Sequence, residues 1–394
     1  MRPQKSYPFS LFHKIPRDII KKVDTKEVRT KKDLMEFIKF PWKIYKNDKN
    51  WVPPLIAERK EFLDKGKNPF FKHADVVFYL AKENNETVGR IAGILNYNHI
   101  KFQKEKVGFF GFFECVKDYA VAIVLLDTVR NWLKSKGMET MRGPANFSSN
   151  EEWGMLLEGF DSPPVFMMTY NPKYYLDFME RYGMRKAKDL YAYFIDKDFP
   201  PPERVIKMAE NIKQKEEIKI HHVNMKNLKN EAKKIKAIYN SAWSPNWGFI
   251  PMTDEEFDHM VKGLKQIVDP HLVFIAEVDG KPAGFSLALP DVNLVLRRIN
   301  GRLFPFGLLK LLWHTKIKNK INGVRIITMG VVPEFQKRGI DSVFYVETFN
   351  VGVKRGYTWA ELSWVLEDNV MMNRVLDLLG ARLYKKYRIY EIGT

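Results

Sequence analysis

Two stretches of the chain share one rhythm. From Val77 to Ala92 (VFYLAKENNETVGRIA) apolar and polar residues alternate on either side of a polar turn, which predicts two strands joined as a hairpin. Val273 to Ala288 (VFIAEVDGKPAGFSLA) repeats the pattern around an Asp-Gly turn, with Gly284 in the place of Gly89. Each hairpin is followed by an apolar strand, Val107–Cys115 and Arg325–Val332, and then by a segment of helical period. Those helices, Tyr119–Lys136 and Ser342–Arg355, end on basic residues before Gly137 and Gly356, the expected stop. A second short helix then ends at Gly183 and at Gly380.

The spacings agree. Gly89 to Gly183 is 94 positions and Gly284 to Gly380 is 96, although the insertions inside them differ. This predicts two copies of one α/β unit. The run Phe199-Pro200-Pro201-Pro202 marks the boundary, because proline cannot continue a strand ladder. The expected organisation is a basic tail over 1–22, a first unit over 23–199 and a second over 200–394, with an insertion at 293–322.

Composition narrows the function. Among 394 residues there is one cysteine, Cys115, which excludes a disulfide framework and multi-thiolate metal sites. The eight histidines are dispersed, so no metal is expected, and neither a G-x-S-x-G nor a Walker loop occurs. No uncharged apolar run approaches the ~18 residues of a membrane span. The first twenty residues lack the apolar centre of a secretory signal, and the expected location is cytoplasmic.

A net charge of +18 calls for anionic partners. From Val292 to Pro333 there is no acidic residue, while Arg297, Arg298, Arg302, Lys310, Lys316, Lys318, Lys320 and Arg325 supply eight bases. The same insertion carries Leu303, Phe304, Phe306, Leu308, Leu309, Leu311, Leu312 and Trp313. Bulky apolar residues among bases fit a segment that lies at an anionic membrane surface, here the inner face of the membrane; a packed hairpin or oligomer contact is the alternative.

The chemistry is concentrated after the strand Arg325–Val332. Gln336-Lys337-Arg338-Gly339-Ile340-Asp341-Ser342 forms a turn into a helix, which presents backbone N–H groups to a pyrophosphate. Gly339 permits close approach, Lys337 and Arg338 add charge, and Ser342 adds a hydroxyl. Gln336 to Asp341 resembles the Gln/Arg-x-x-Gly-x-Gly/Ala signature of the GNAT acyltransferase superfamily, departing from it at Asp341. The resemblance implies an α/β (α+β) fold of two tandem GNAT-like mixed-sheet domains, the N-terminal one degenerate because no such loop follows Cys115. It implies acyl-CoA as donor, with the pyrophosphate on Gln336–Ser342 and the pantetheine arm along Gly330, Val331 and Val332. A second family motif maps onto Asn369, Met372, Leu376, Gly380 and Ala381, with Leu376 in place of a tyrosine that often protonates the departing thiolate.

Over the whole chain the sequence is similar to the tandem GNAT group of the YghO type, and to bacterial ceramide synthases, which move a fatty acyl chain from a thioester to a long-chain amine. Asn68–His73, Val107–Cys115, Gly143–Glu152, Gly159–Pro164 and Asn246–Thr253 carry that likeness. It implies an acyl thioester and an amine as partners rather than nucleic acid. Candidate catalytic residues are Glu361 and Asn369, with Glu367 as another possible base, and Glu114 at a strand position that some GNAT enzymes use. Trp243, Trp247 and Phe249 are expected to wall the acceptor site, or else to form a lid or contact between units. Two further readings stay open: a Fem-type aminoacyl-tRNA-dependent transferase, and a non-catalytic binding protein.

Overall fold

A computed structural model describes residues 23–215, 217–307, 309, 313 and 321–394. The tail over 1–22 and much of 308–320, with Lys310, Lys316, Lys318 and Lys320, lie outside the described residues.

The first half begins with β1 (Val23–Glu27), the short helices α1 (Lys31–Lys39), α2 (Pro41–Ile44) and α3 (Ile56–Phe62), and the hairpin β2 (Ala74–Glu83) and β3 (Glu86–Asn96). After α4 (Tyr97–Gln103) come β4 (Val107–Cys115), α5 (Tyr119–Ser135) and β5 (Thr140–Gly143). Three short strands follow, β6 (Ala145–Asn146), β7 (Glu152–Trp153) and β8 (Met155–Glu158), then α6 (Tyr174–Arg181) and β9 (Arg185–Asp196). The second half has α7 (Glu203–Lys213), β10 (Ile218–His222), α8 (Leu228–Ala242), α9 (Asp254–Leu264), β11 (Val273–Val278), β12 (Lys281–Pro290) and α10 (Asn293–Leu296). It ends with β13 (Gly323–Val331), α11 (Ile340–Lys354), β14 (Trp359–Leu366), α12 (Val370–Leu378) and β15 (Arg382–Gly393).

The expected hairpins, strands and helices are present, and the register makes the repeat explicit. Gly89 on β3 faces Cys115, the last residue of β4, and Gly284 on β12 faces Val331, the last residue of β13. In each half the third strand runs parallel to the next for only a few residues, Val107–Phe109 beside Thr140–Arg142 and Gly323–Ile326 beside Trp359–Leu362. Beyond those residues no ladder pairing joins the two strands, so a wedge opens. Apolar faces of α5 (Val121, Leu125, Val129) and α11 (Ile340, Val343, Phe344) cover the sheet in corresponding places.

The halves exchange their last strands. β9, which precedes the proline run, pairs with β14 and β15; β15 pairs in turn with β5 of the first half. One 13-stranded sheet results, in the order β1-β2-β3-β4-β5-β15-β9-β14-β13-β12-β11-β10, with β8 alongside β15. Following the strand directions along this order, β4 and β13 are antiparallel, so their C-terminal ends point to opposite edges.

Buried charge locks the exchange. Arg325 on β13 donates to the carbonyls of Phe166 and Met167, each at 3.0 Å, and Asp291 accepts from the Phe166 N–H at 2.9 Å. Lys385 on β15 donates to the carbonyls of Gly159 and Ser162, both at 2.8 Å, and burial lowers its pKa to about 8. The loop 159–168 of the first half is thereby fastened to strands of the second.

Candidate active site

In the first half the wedge between β4 and β5 is filled by the chain itself. Gly111 lies so close to β6 that a Cβ there would sit 1.9 Å from the Ala145 carbonyl oxygen. Phe112 bulges out of the strand at φ +50°, and its N–H donates to Asn146 Oδ1 at 2.7 Å. Asn146 Nδ2 donates to Glu152 Oε2, also at 2.7 Å, which fixes the Pro144–Glu152 loop across the strand end.

Beside this plug a cavity of about 1050 Å³ opens between the halves, at the upper end of ligand-sized pockets. Phe112, Phe113 and Glu114 form part of its lining, Trp51 to Phe62 supply one wall and Asn146 to Glu152 another. The second half contributes α9 through Glu256, His259 and Met260, together with Leu296 and Leu303.

Glu114 is the only charge on an otherwise apolar strand and is 9% exposed. The Tyr175 hydroxyl donates to it at 2.8 Å, the Tyr45 hydroxyl lies at 3.0 Å, and Arg90 stands 3.9 Å away. Burial raises its pKa to about 7, against the opposing pull of Arg90 and the two phenols. Burial likewise raises Glu151, another lining residue, to about 8; Arg59 opposes that shift and Glu152 adds to it. A carboxyl poised near neutrality in an apolar cleft suits proton transfer at physiological pH.

The residues marked in the second half are distributed differently. Pro333–Phe335 forms a short 3₁₀ turn, Gln336 Nε2 donates to the Val331 carbonyl at 3.1 Å, and Lys337 and Gly339 take positive φ (+63° and +82°) before α11. Lys337, Arg338 and Asp341 are exposed, whereas Ile340 and Ser342 are buried. Among the described residues no protein carbonyl accepts from the N–H groups of Lys337, Arg338, Gly339 or Ile340. Helix α7 packs against this turn: a Cβ on Gly339 would lie 3.2 Å from Ile212, and Ser342 Oγ donates to Met208 Sδ at 3.0 Å.

Gly330, Val331 and Val332 are half-buried at the free end of β13. The Trp243 ring lies against Gly330, where a Cβ would be 2.3 Å from it, and stacks on Tyr239.

Trp247 and Phe249 join the halves. Trp247 stacks on Trp153, with the Arg142 guanidinium 5.1 Å from the ring centre. The carbonyls of Gly248 and Phe249 accept from Ser149 Oγ (2.8 Å) and Gln103 Nε2 (2.7 Å). The segment between α8 and α9 is thus held on the first half, which sets α9 over the cleft.

Glu361 is not at a rim. It is fully buried, 2.5 Å from Ser363 Oγ, hydrogen-bonded by Tyr384 and 3.9 Å from Arg325. Burial raises its pKa, and its evident task is to balance the charge of Arg325. Asn369 caps α12, accepting from the Met372 N–H at 3.1 Å, and Glu367 pairs with Lys186 at 2.8 Å. None of Glu361, Asn369 or Gln336–Ser342 lines the cleft. The structure therefore does not gather the marked residues into one site.

What it gathers instead are the five segments of the resemblance. Asn68 and Phe70, Phe112 to Glu114, Asn146 to Glu152, Pro164, and Met252 all line the one cleft. Tyr45 and Arg90, the partners of Glu114, carried no sequence signal; the lone carboxylate in VGFFGFFEC was the visible clue. Among the described residues no three side chains of His, Cys, Asp or Glu come together to hold a metal.

No family model matches the sequence. Protein YghO of Escherichia coli (strain K12) is 36% identical over 368 residues, covering 92% of this chain and 93% of that protein. A bacterial ceramide synthase of Caulobacter vibrioides is 36% identical over 369 residues, covering 92% and 96%. Among solved structures, a tandem GNAT protein from the clavulanic acid biosynthesis pathway superposes with a TM-score of 0.58 over 94% of this chain and 98% of that one, at 8% identity, a likeness of fold. With a doubled α/β frame of the tandem GNAT fold and relatives matched almost end to end, the chain belongs to the family of protein YghO and the bacterial ceramide synthase.

Proposed function

We propose that the protein moves an acyl group from a thioester, acyl-CoA, to the nitrogen of a long-chain or lipid amine, and that transfer takes place in the cleft between the halves. One observation carries this reading: Glu114, with a pKa raised to about 7, stands in the wall of a largely apolar cavity large enough for a chain-bearing substrate.

An amine reaches the site mostly as ammonium. The Glu114 carboxylate takes a proton from that nitrogen, whose lone pair then attacks the thioester carbonyl carbon. The C–N bond forms and the C–S bond breaks; the nitrogen releases its second proton to water as the amide forms, and the thiolate leaves with a proton. Glu151, held neutral at pH 7 by burial, is the candidate donor of that proton. Tyr45 and Tyr175 hold the Glu114 carboxyl in place, and alignment of the two substrates supplies the larger share of the acceleration, on the order of 7–11 kcal/mol.

A second reading places the donor on the second half. There β13 pairs with no strand on its β14 side after Ile326, and among the described residues the N–H groups of Lys337 to Ile340 face no protein acceptor. The pantetheine arm would lie along Gly330–Val332, with the pyrophosphate on Gln336–Ser342, and Trp243 would border the acyl group.

Transfer assays with acetyl-, octanoyl- and palmitoyl-CoA and amines of increasing chain length, followed by mass spectrometry of the amide, separate the two. Loss of kcat in Glu114→Gln, with normal kinetics in a Lys337→Glu/Arg338→Glu variant, supports the cleft. The reverse result, with a raised KM for CoA in the charge-reversed variant, supports the second half. Absence of any amide product with every thioester removes both.

A further inference from the structure

We propose that the surface carrying Phe304, Phe306, Leu309 and Trp313 docks on an anionic lipid bilayer and sets the mouth of the cleft against it, so that a chain-bearing substrate passes from lipid into the cavity. This rests on the reading of the cleft as the acyl-transfer site and names the surface from which that site is supplied.

Phe304 is 77% exposed, Phe306 65%, Leu309 63% and Trp313 49%. A single exposed apolar side chain is ordinary. Four bulky ones within ten positions amount to an apolar patch of the kind that marks an interaction surface.

Its neighbours are basic. Arg297, Arg298 and Arg302 are all exposed, and no acidic residue occurs between Val292 and Pro333. Among the described bases of this stretch, Arg325 is committed inside the protein, at Glu361. Apolar tips entering the headgroup boundary while guanidinium groups meet lipid phosphate is how interfacial segments bind. A nucleic acid would use the bases and leave the four apolar side chains in water.

Position supplies the second argument. Leu296, Leu303 and Ile321, from the same segment, line the cleft. Its root is seated on the first half: the Gly301 carbonyl accepts from the Ile56 N–H at 3.0 Å, and Trp42 Nε1 donates to Asn300 Oδ1 at 2.8 Å. Gly301 lies so close to Trp42 that a Cβ would be 2.5 Å from the ring. The stretch from Trp51 to Leu55, beside this seat, is itself a cleft wall. The patch therefore stands at the edge of the cavity, with Leu296, Leu303 and Ile321 lining the cleft and Phe304, Phe306, Leu309 and Trp313 open to the surroundings.

The test is co-sedimentation of the full chain with vesicles of phosphatidylcholine alone and of phosphatidylcholine mixed with phosphatidylglycerol. The expected result is at least tenfold stronger partition onto the anionic vesicles, weakened by salt. Phe304→Ser/Phe306→Ser and Trp313→Ala should each lose that partition severalfold or more at an unchanged Tm, and Arg297→Glu/Arg298→Glu should lose its anionic component. The same variants should transfer acyl groups between short, water-soluble substrates at the wild-type rate, and lose rate only when the amine is presented in vesicles. Equal vesicle binding by all of these proteins overturns the proposal, even if the acyl-transfer reading stands. So does a concentration-dependent dimer in sedimentation velocity that Phe304→Ser/Phe306→Ser disperses, which would assign the patch to a second copy of the chain. Tighter binding to duplex DNA than to anionic vesicles overturns it as well. Loss of amide formation from soluble substrates in the wild type, with vesicle binding intact, would refute the acyl-transfer reading and leave the docking surface.

Discussion

The two halves carry the same frame and treat the wedge in it in opposite ways. In the first, Ala145 and Asn146 lie against Gly111 and Phe112, so the strand edge is satisfied by the chain's own backbone and one amide side chain. In the second, β13 pairs with no strand on that edge from Ile327 to Val331, where Gln336 Nε2 reaches the Val331 carbonyl, and leads into the Gly339 turn. The buried glutamates differ in the same sense. Glu114 faces a cavity and is held by phenols, whereas Glu361 is enclosed and serves Arg325. Duplication supplied two similar scaffolds, and a few inserted residues decided which strand end became a cavity wall and which became a turn presenting backbone N–H groups.

The strand exchange is the most severe test of treating the halves separately. Residues 23–199 expressed alone leave β5 without β15 and β9 without either neighbour, so we expect no cooperative unfolding transition by circular dichroism. Co-expression with 200–394 should restore one. An independently folded first half would show that the exchange is dispensable.

Next in size is the rate. Glu114→Gln should lower kcat by roughly 10²–10⁴-fold, the usual contribution of a positioned base. Glu361→Gln should leave kcat of the folded enzyme nearly unchanged. It should instead lower stability by about 3 kcal/mol in urea titration, because Arg325 would remain buried without its counter-charge.

A glycine comparison probes the wedge. Gly111→Ala drives a methyl group into the Ala145 carbonyl and should cost about 3 kcal/mol. Ile327→Ala, four residues before the end of β13 as Gly111 is before the end of β4, should cost about 1 kcal/mol. Similar losses would mean that the plug is loose.

A comparable effect is a pH dependence. The Glu114 pKa is raised from 4.5 to about 7 in the folded protein, so between those values the folded state holds a proton that the unfolded chain releases. Wild-type stability therefore falls as pH rises through that window, by about 2–3 kcal/mol, and stays lower above it. Glu114→Gln, which imitates the protonated group, should match wild type at pH 4 and exceed its Tm at pH 8. Activity should run the other way in the wild type, rising as the carboxylate forms near pH 7.

The repeated order of elements was legible because each signal is local. Alternation about the Asp279-Gly280 turn, the helical period of Tyr119–Ser135 and the glycines after the helices depend on neighbours a few positions away. The turn at Gly339 was legible for the same reason. The site was less so: Glu361 read as a candidate catalytic base, and only Arg325 and Tyr384 around it reveal an interior ion pair. Trp247 and Phe249 read either as walls of the acceptor site or as a lid or contact between units, and the partners Trp153 and Gln103 place them between the halves.

By itself the sequence determined that one α/β unit occurs twice, the order of its principal strands and helices, and that the glycine turn after the third strand is found in the second copy alone. Tertiary structure alone decided that β9 and β15 change places, that Asn146 fills one wedge, and that five distant segments close around Glu114. The physical reason is that every residue offers a strand the same N–H and C=O groups, so the sequence does not name the partner. A carboxyl group's proton affinity, likewise, is set by whatever the finished fold packs around it.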